Sequence, residues 1–227
     1  MASVNIAKHV NLEDINKDGK GVKHLQQHEK DLHSDLQAVD PESLIKHPLQ
    51  RRWSMWFFKN DKAKSWTENL RIVTAFDTVE DFWSLYNYIQ VASGLASGCD
   101  YSLFKDGVKP MWEDDKNKDG GRWLIGFDRK SKSQDIDRCW LETMLLMIGE
   151  SFDDDSDLVN GAVVNIRSKG NKIAMWTGDW RKEDSITNIG RKFKDRLGLP
   201  HKYTIGFEAH KDTMTKTGSM AKSLYTV

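Results

Sequence analysis

The aromatic residues stop at a boundary. Nine tryptophans, nine phenylalanines and five tyrosines are present among 227 residues, and every one lies at or after Trp53. Large rings contribute more buried apolar area than any other side chains, so the core must be built downstream of that point. Residues 1–45 are rich in Lys, Asp, Glu, His, Gln and Asn, with scattered Val, Leu and Ile. Such a segment cannot bury enough apolar area to offset the entropy of ordering it. It reads as a disordered tail, and residues 46–227 as one folded domain. Leu25, Leu32 and Val39 recur every seven residues, a solvated strip that marks at most a transient helix.

The 34 basic and 34 acidic side chains cancel. No global field draws the chain to phosphate, and any nucleic-acid function must come from a local site. Cys99 and Cys139 are too few for a disulfide framework or a structural zinc site, which points to a reducing compartment. The amino-terminal stretch lacks a secretory pattern, and no run approaches the roughly 20 apolar residues of a membrane span. Two polar motifs are false leads. Asp14, Asn16, Asp18 and Gly19 imitate the start of an EF-hand, as do Asp115, Asn117, Asp119 and Gly120, but the twelfth positions hold Leu25 and Gly126 instead of Glu. His24 and His28 have helical spacing but no third ligand in sight. No metal and no cofactor are expected.

In the folded part, Trp53–Phe58, Leu70–Phe76, Arg122–Phe127, Gly161–Arg167, Lys172–Thr177 and Tyr203–Glu208 read as strands, being short and rich in β-branched and aromatic residues. Helices are predicted at about 78–91, with Thr78 as N-cap, at about 135–148 before Gly149, and at about 184–197 before Gly198 and Pro200. Ser168–Asn171 reads as a hairpin turn. Hairpins mixed with separated helices indicate an antiparallel α+β fold. The first helix offers Phe82, Leu85 and Ile89 to a sheet, while Val79 and Trp83 point elsewhere. In the second, Leu141 and Leu145 stand beside Trp140, Met144 and Met147. Each extra stripe is either more buried face or a groove for a partner helix.

Trp53, Trp56 and Trp123 fall in strands and read as structural. Trp66 lies in the polar stretch Asn60–Asn69, and Trp112 follows Pro110 and Met111 and precedes Glu113, Asp114 and Asp115. Trp176 lies two residues before Gly178. Two loop tryptophans can clamp a flat ring, a carboxylate can accept from a base edge with two donors, and Arg122, Arg167, Lys169 and Lys172 could meet phosphates. The competing reading is that the rings merely pack and the charges merely solvate.

The stretches His47-Pro-Leu-Gln, Trp53-Ser-Met-Trp-Phe-Phe-Lys-Asn-Asp61, Phe76-Asp-Thr-Val-Glu-Asp-Phe-Trp83 and Asp100-Tyr-Ser-Leu-Phe-Lys-Asp-Gly107 resemble the eukaryotic translation initiation factor 4E family. So do Pro110-Met-Trp-Glu-Asp114, Gly120-Gly-Arg-Trp-Leu-Ile125, Ile148-Gly-Glu-Ser-Phe-Asp153 and Gly161-Ala-Val-Val-Asn165. The resemblance covers about 46–227, in order, and the tail lies outside it. It implies a strongly curved antiparallel sheet of about eight strands, backed by three helices on its convex face. It also implies a messenger RNA cap-binding protein that recruits a scaffold initiation factor, or alternatively a cap-binding repressor acting through inhibitor partners.

By the same resemblance, Trp66 and Trp112 stack the base, Glu113 takes the guanine edge and Trp176 meets the methyl group. Arg167 and Lys172 contact phosphates, with Arg122 and Lys169 adding positive potential nearby and Lys216 approaching the second nucleotide. Ser219 falls on the family's phosphoacceptor. His47, Pro48, Val79, Trp83, Leu141, Glu142 and Leu145 fall on its surface for partners with a Tyr-x-x-x-x-Leu-apolar motif. Thr177–Ser185, including Trp180, departs from the family pattern. A monomer is expected, in the cytoplasm with the nucleus as a second location. A cap-hydrolysing enzyme is not expected, because His47, His201 and His210 sit in no nucleophile motif and no Glu-rich helix offers a metal site.

Overall fold

Strand alternation decides which way each ring faces. The computed structural model describes residues 45–128, 131–214 and 223–227. The expected disordered tail therefore lies almost wholly outside the described residues, as do Lys216 and Ser219.

Eight strands form one antiparallel sheet: β1 Pro48–Lys59, β2 Leu70–Thr78, β3 Cys99–Lys105, β4 Gly121–Phe127, β5 Val159–Asn165, β6 Asn171–Thr177, β7 Gly206–Ala209 and β8 Tyr225–Thr226. Their spatial order is β2-β1-β3-β5-β6-β4-β7-β8. The sheet is curved, with register shifts in the β1–β2 and β5–β6 pairings, where an extra residue bends a strand. Among the described residues five α-helices accompany it: α1 Trp66–Asn69, α2 Val79–Tyr88, α3 Ser133–Ile148, α4 Glu183–Arg196 and α5 His210–Met214.

One face of the sheet carries Trp53, Met55, Tyr101, Leu103, Trp123, Ile125, Val164, Ile173, Met175 and Phe207. These form a single buried core with Phe82 of α2, Trp140 and Met144 of α3, and Ile186, Ile189 and Phe193 of α4. Trp123 anchors the layer twice. Its Nε1 donates to the Ile186 carbonyl at 3.0 Å, and its ring meets α4 at Gly190, where any Cβ would stand 2.3 Å from it. Only glycine lets helix and strand approach that closely. The opposite face presents a smaller cluster of Phe104, Val108, Val163, Ala174 and Trp176, with Leu124 against it.

The three longer helices form where the periodicity placed them. Thr78 caps α2 by accepting from the Asp81 amide at 3.2 Å, and α4 ends ahead of Gly198 at φ +65. Helix α2 stops at Tyr88, short of the predicted residue 91, because Ile89 is already extended.

The sheet departs from expectation in several places. Strand β3 was absent from the predicted strands because Asp100 and Ser102 break its apolar run, yet both are buried. Strand β8 is two residues long, too short to leave a pattern. Strand β5 ends at Asn165 rather than Arg167. Strand β7 starts at Gly206 rather than Tyr203, because the Tyr203 amide closes a turn on the Pro200 carbonyl at 2.8 Å instead of entering the ladder.

Candidate functional site

Alternation puts Phe58 of β1, Asp100 and Ser102 of β3, Val163 and Asn165 of β5, Ala174 and Trp176 of β6, and Arg122 of β4 on the hollow face. All of them line one cavity of about 510 Å³. Its rim is supplied by α1, which adds Trp66 and Thr67 from one side, and by the β3–β4 loop, which adds Pro110, Met111, Trp112 and Glu113 from the other.

The two rim tryptophans are 47% and 39% exposed, against 7% for Trp176, so the first two stand out of the core while the third is part of its floor. Trp66 does not sit on an irregular loop. It is the first residue of α1, whose N-cap Ser65 and Glu68 form a capping box: the Ser65 amide donates to Glu68 Oε2 at 2.8 Å, and the Glu68 amide donates to Ser65 Oγ at 3.3 Å. The sequence Ser-Trp-Thr-Glu carried that signal. Below the indole lies Phe58, with ring centroids 5.7 Å apart. Buried Asn69 ties the turn together by donating to the Asp61 carbonyl at 2.9 Å and accepting from the Asp61 amide at 3.2 Å.

Trp176 is held edge-on by Phe104 at 5.5 Å and tilted against His210 at 4.2 Å. Burial, and then the nearby Arg122 charge, push the His210 imidazole down to about 3, so it is neutral and behaves as a flat packing ring at neutral pH.

The charges are less free than the sequence suggested. Arg122 donates to Glu208 through Nη2 at 3.0 Å and Nε at 3.2 Å. Arg167 is bidentate on Asp100: Nη2 reaches Oδ2 at 2.9 Å and Nη1 reaches Oδ1. The Asp100 hydrogen bonds raise the Arg167 guanidinium further above its ordinary range, against its burial. Both arginines line the cavity, but each brings its own carboxylate, and Asp100 had been passed over as a site residue. Period-two alternation through Asp100, Ser102 and Phe104 was the signal available for it. Lys172 is exposed at the far end of the same β6 face, and Lys169 is exposed in the turn; neither lines the cavity. Glu113 is exposed, and among the described residues its carboxylate has no hydrogen-bond or ion-pair partner, whereas neighbouring Asp114 accepts from the Lys109 and Lys116 amides.

The predicted partner surface lies on the helical side. His47 donates its amide to Glu80 Oε2 at 2.9 Å and places Nδ1 2.6 Å from Oε1, which holds the Glu80 carboxyl below its usual range. Pro48 pairs with Thr78. Trp83 is 37% exposed, edge-on to Phe82 and Tyr86 at 5.1 and 5.9 Å, while Val79, Leu141, Glu142 and Leu145 are half-buried.

A curved antiparallel sheet with an aromatic-rimmed hollow on one side and a partly exposed helical back on the other defines a binding protein with two separate surfaces. A family model for eukaryotic initiation factor 4E matches residues 48–224. The chain belongs to that family. Eukaryotic translation initiation factor 4E of Xenopus laevis is 57% identical over 202 residues, covering 89% of this chain and 95% of the relative. The 4E-1A factor of Danio rerio is 59% identical over 199 residues, covering 88% and 93%. Ascaris suum eIF4E-3 with m2,2,7G cap matches with a TM-score of 0.76 at 48% identity, over 81% of this chain and 99% of its own. C. elegans eIF4E-3, in a complex with the 4E-binding protein Mextli and cap analog, matches with a TM-score of 0.74 at 45% identity, over 81% and 100%.

Proposed function

We propose that this protein binds the 7-methylguanosine cap of messenger RNA in the hollow of its sheet and recruits partner proteins of translation initiation through its helical face. The observation that carries this reading is the pairing of two exposed tryptophans with one unpartnered carboxylate around a single cavity. The caps bound by the Ascaris and C. elegans relatives support it, as does the 4E-binding protein in the latter complex.

Methylation at N7 spreads positive charge over the guanine, and indole faces attract such a cation. Trp66 and Trp112 stack on its two faces. Glu113 accepts from N1–H and the exocyclic amine, and Trp176 closes the floor near the methyl group. Two stacks at roughly 1–3 kcal/mol each and a two-donor contact at roughly 1–3 kcal/mol sum to between about 3 and about 9 kcal/mol. Phosphate contacts from Arg167 and Lys172 add to this, and lost freedom subtracts, which leaves micromolar affinity or better. The protein acts here by binding, not by bond cleavage.

Titration with 7-methylguanosine triphosphate, followed by quenching of intrinsic fluorescence, tests the clamp. Trp66→Ala and Trp112→Ala should each weaken binding by at least about tenfold, as loss of one stack implies, with the fold retained because both rings stand outside the core. A folded Trp112→Ala protein that binds within threefold of wild type would remove the basis for this reading.

A further inference from the structure

The segment that carries Trp112 and Glu113 is closed by side chains rather than by a ladder. Asn117 is fully buried, and its amide is fully used. Nδ2 donates to the carbonyls of Lys109 and Met111, each at 2.9 Å, and Oδ1 accepts from Nδ2 of Asn160 at 2.9 Å. Asn160 belongs to β5, is 6% exposed, and also donates to the Lys116 carbonyl at 2.6 Å. Asp114 completes the ring by accepting from the Lys109 amide at 3.0 Å and the Lys116 amide at 2.9 Å. Backbone on both sides of Trp112 and Glu113 is thereby moored to one strand of the sheet. The mooring is tightly packed: a Cβ on Gly178 would stand 3.2 Å from the Lys116 carbonyl and 3.3 Å from Asn160 Nδ2.

A buried amide is costly unless every polar atom is paired. These two are paired only when the loop takes this one position, so the same bonds that satisfy them select it. We propose that Asn117 and Asn160 are positioning residues for recognition, presetting Trp112 and Glu113 at the cavity rim before a ligand arrives. The inference rests on the reading of Trp112 and Glu113 as base contacts. Neither asparagine lines the cavity. Their effect therefore falls on the fraction of molecules ready to bind, and apparent affinity scales with that fraction.

The test uses the full chain and stopped-flow binding of 7-methylguanosine monophosphate and triphosphate. Asn160→Ala cuts both bonds to the strand but leaves those within the loop; Asn117→Ala removes its two bonds to the loop carbonyls and the Asn160 link, but leaves Asn160 on the Lys116 carbonyl. Asn160→Ala should weaken binding about fivefold and Asn117→Ala more, almost all of it in slower association with dissociation near wild type. The factor should be equal for the two ligands, since the loop meets the base. The double variant should lose less than the product of the two single losses, because the bond between the two residues is counted in both. Exchange of the Lys109 and Lys116 amides should quicken in the free protein and return toward wild type when ligand saturates it. Unchanged association and exchange in folded Asn160→Ala protein overturn the inference, as does a loss confined to dissociation. Should Asn117→Ala fail to fold, Asn160→Ala decides alone, with retained binding of a Tyr-x-x-x-x-Leu-apolar peptide certifying its fold. Trp112→Ala in the same assay separates the two ideas: if it too binds like wild type, the cap-binding reading has failed rather than the positioning one.

Discussion

An arginine that already holds a carboxylate meets a ligand differently from a solvated cation. Arg167 on Asp100 and Arg122 on Glu208 have their guanidinium planes fixed, so each offers its remaining donors in a set direction with little further loss of freedom. Lys172 is exposed, and an exposed charge is screened by salt. Glu113 is the reverse case, an acceptor without a donor among the described residues. Replacing it with Gln keeps the shape but turns an amine toward a donor edge. Glu113→Gln should lower affinity for 7-methylguanosine triphosphate by about tenfold to a hundredfold, the range of one two-donor contact. Isothermal titration against wild type measures it, and an unchanged affinity would place the base edge elsewhere. Trp66, Trp112 and Glu113 stood out in the sequence by their polar surroundings, and the structure brings all three to one cavity rim; their roles toward a base came from the family resemblance. Asp100 was not, since a buried carboxylate on a strand is explained only by an arginine 67 positions away in the chain.

At the scale of elements, period and caps carried most of the information. The three longer helices followed from Thr78, Gly149, Gly198 and the spacing of apolar residues, whereas the side that α4 buries was not read from the sequence. The strand hardest to see was β3, because its polar residues face the hollow rather than solvent; a functional strand breaks the pattern by which strands are recognised. Helix α2 shows the converse. Its Phe82 is 1% exposed and packs on Phe76 at 5.6 Å, whereas the adjacent Trp83 is 37% exposed on another side of the helix. Trp83→Ala should therefore leave cap-analogue affinity unchanged and cost the fold little. It should weaken a Tyr-x-x-x-x-Leu-apolar peptide by about 2 kcal/mol or more, as truncation of an anchor aromatic does. Fluorescence anisotropy of a labelled peptide checks the first effect and thermal unfolding the second; a large drop in Tm would return Trp83 to the core.

For the molecule as a whole, His210 couples pH to stability. Its folded value of about 3 lies below the ordinary 6.5, so between those values the unfolded chain binds more protons and stability rises with pH. The contribution is complete above about 6.5 and is lost as pH falls toward 3, with a limiting slope of about 1.4 kcal/mol per pH unit. His210→Phe keeps a ring against Trp176 while removing the titration, so its melting temperature should fall less than that of wild type between pH 6.5 and 4.5. Parallel curves would show that the acid sensitivity arises elsewhere.

The strand order has a consequence in time as well as in space. The cavity-lining residues all lie at or before Trp176, yet β4, which carries Arg122, is seated between β6 and β7. A nascent chain therefore has every residue that lines the cavity before it has the strand that covers the outer edge of β4. A chain ending at Pro200 should fail to be retained on cap resin, and one extended through Val227 should be retained. Strand β7 thus serves a cavity it does not line: it covers the outer edge of β4 and brings Glu208 to Arg122.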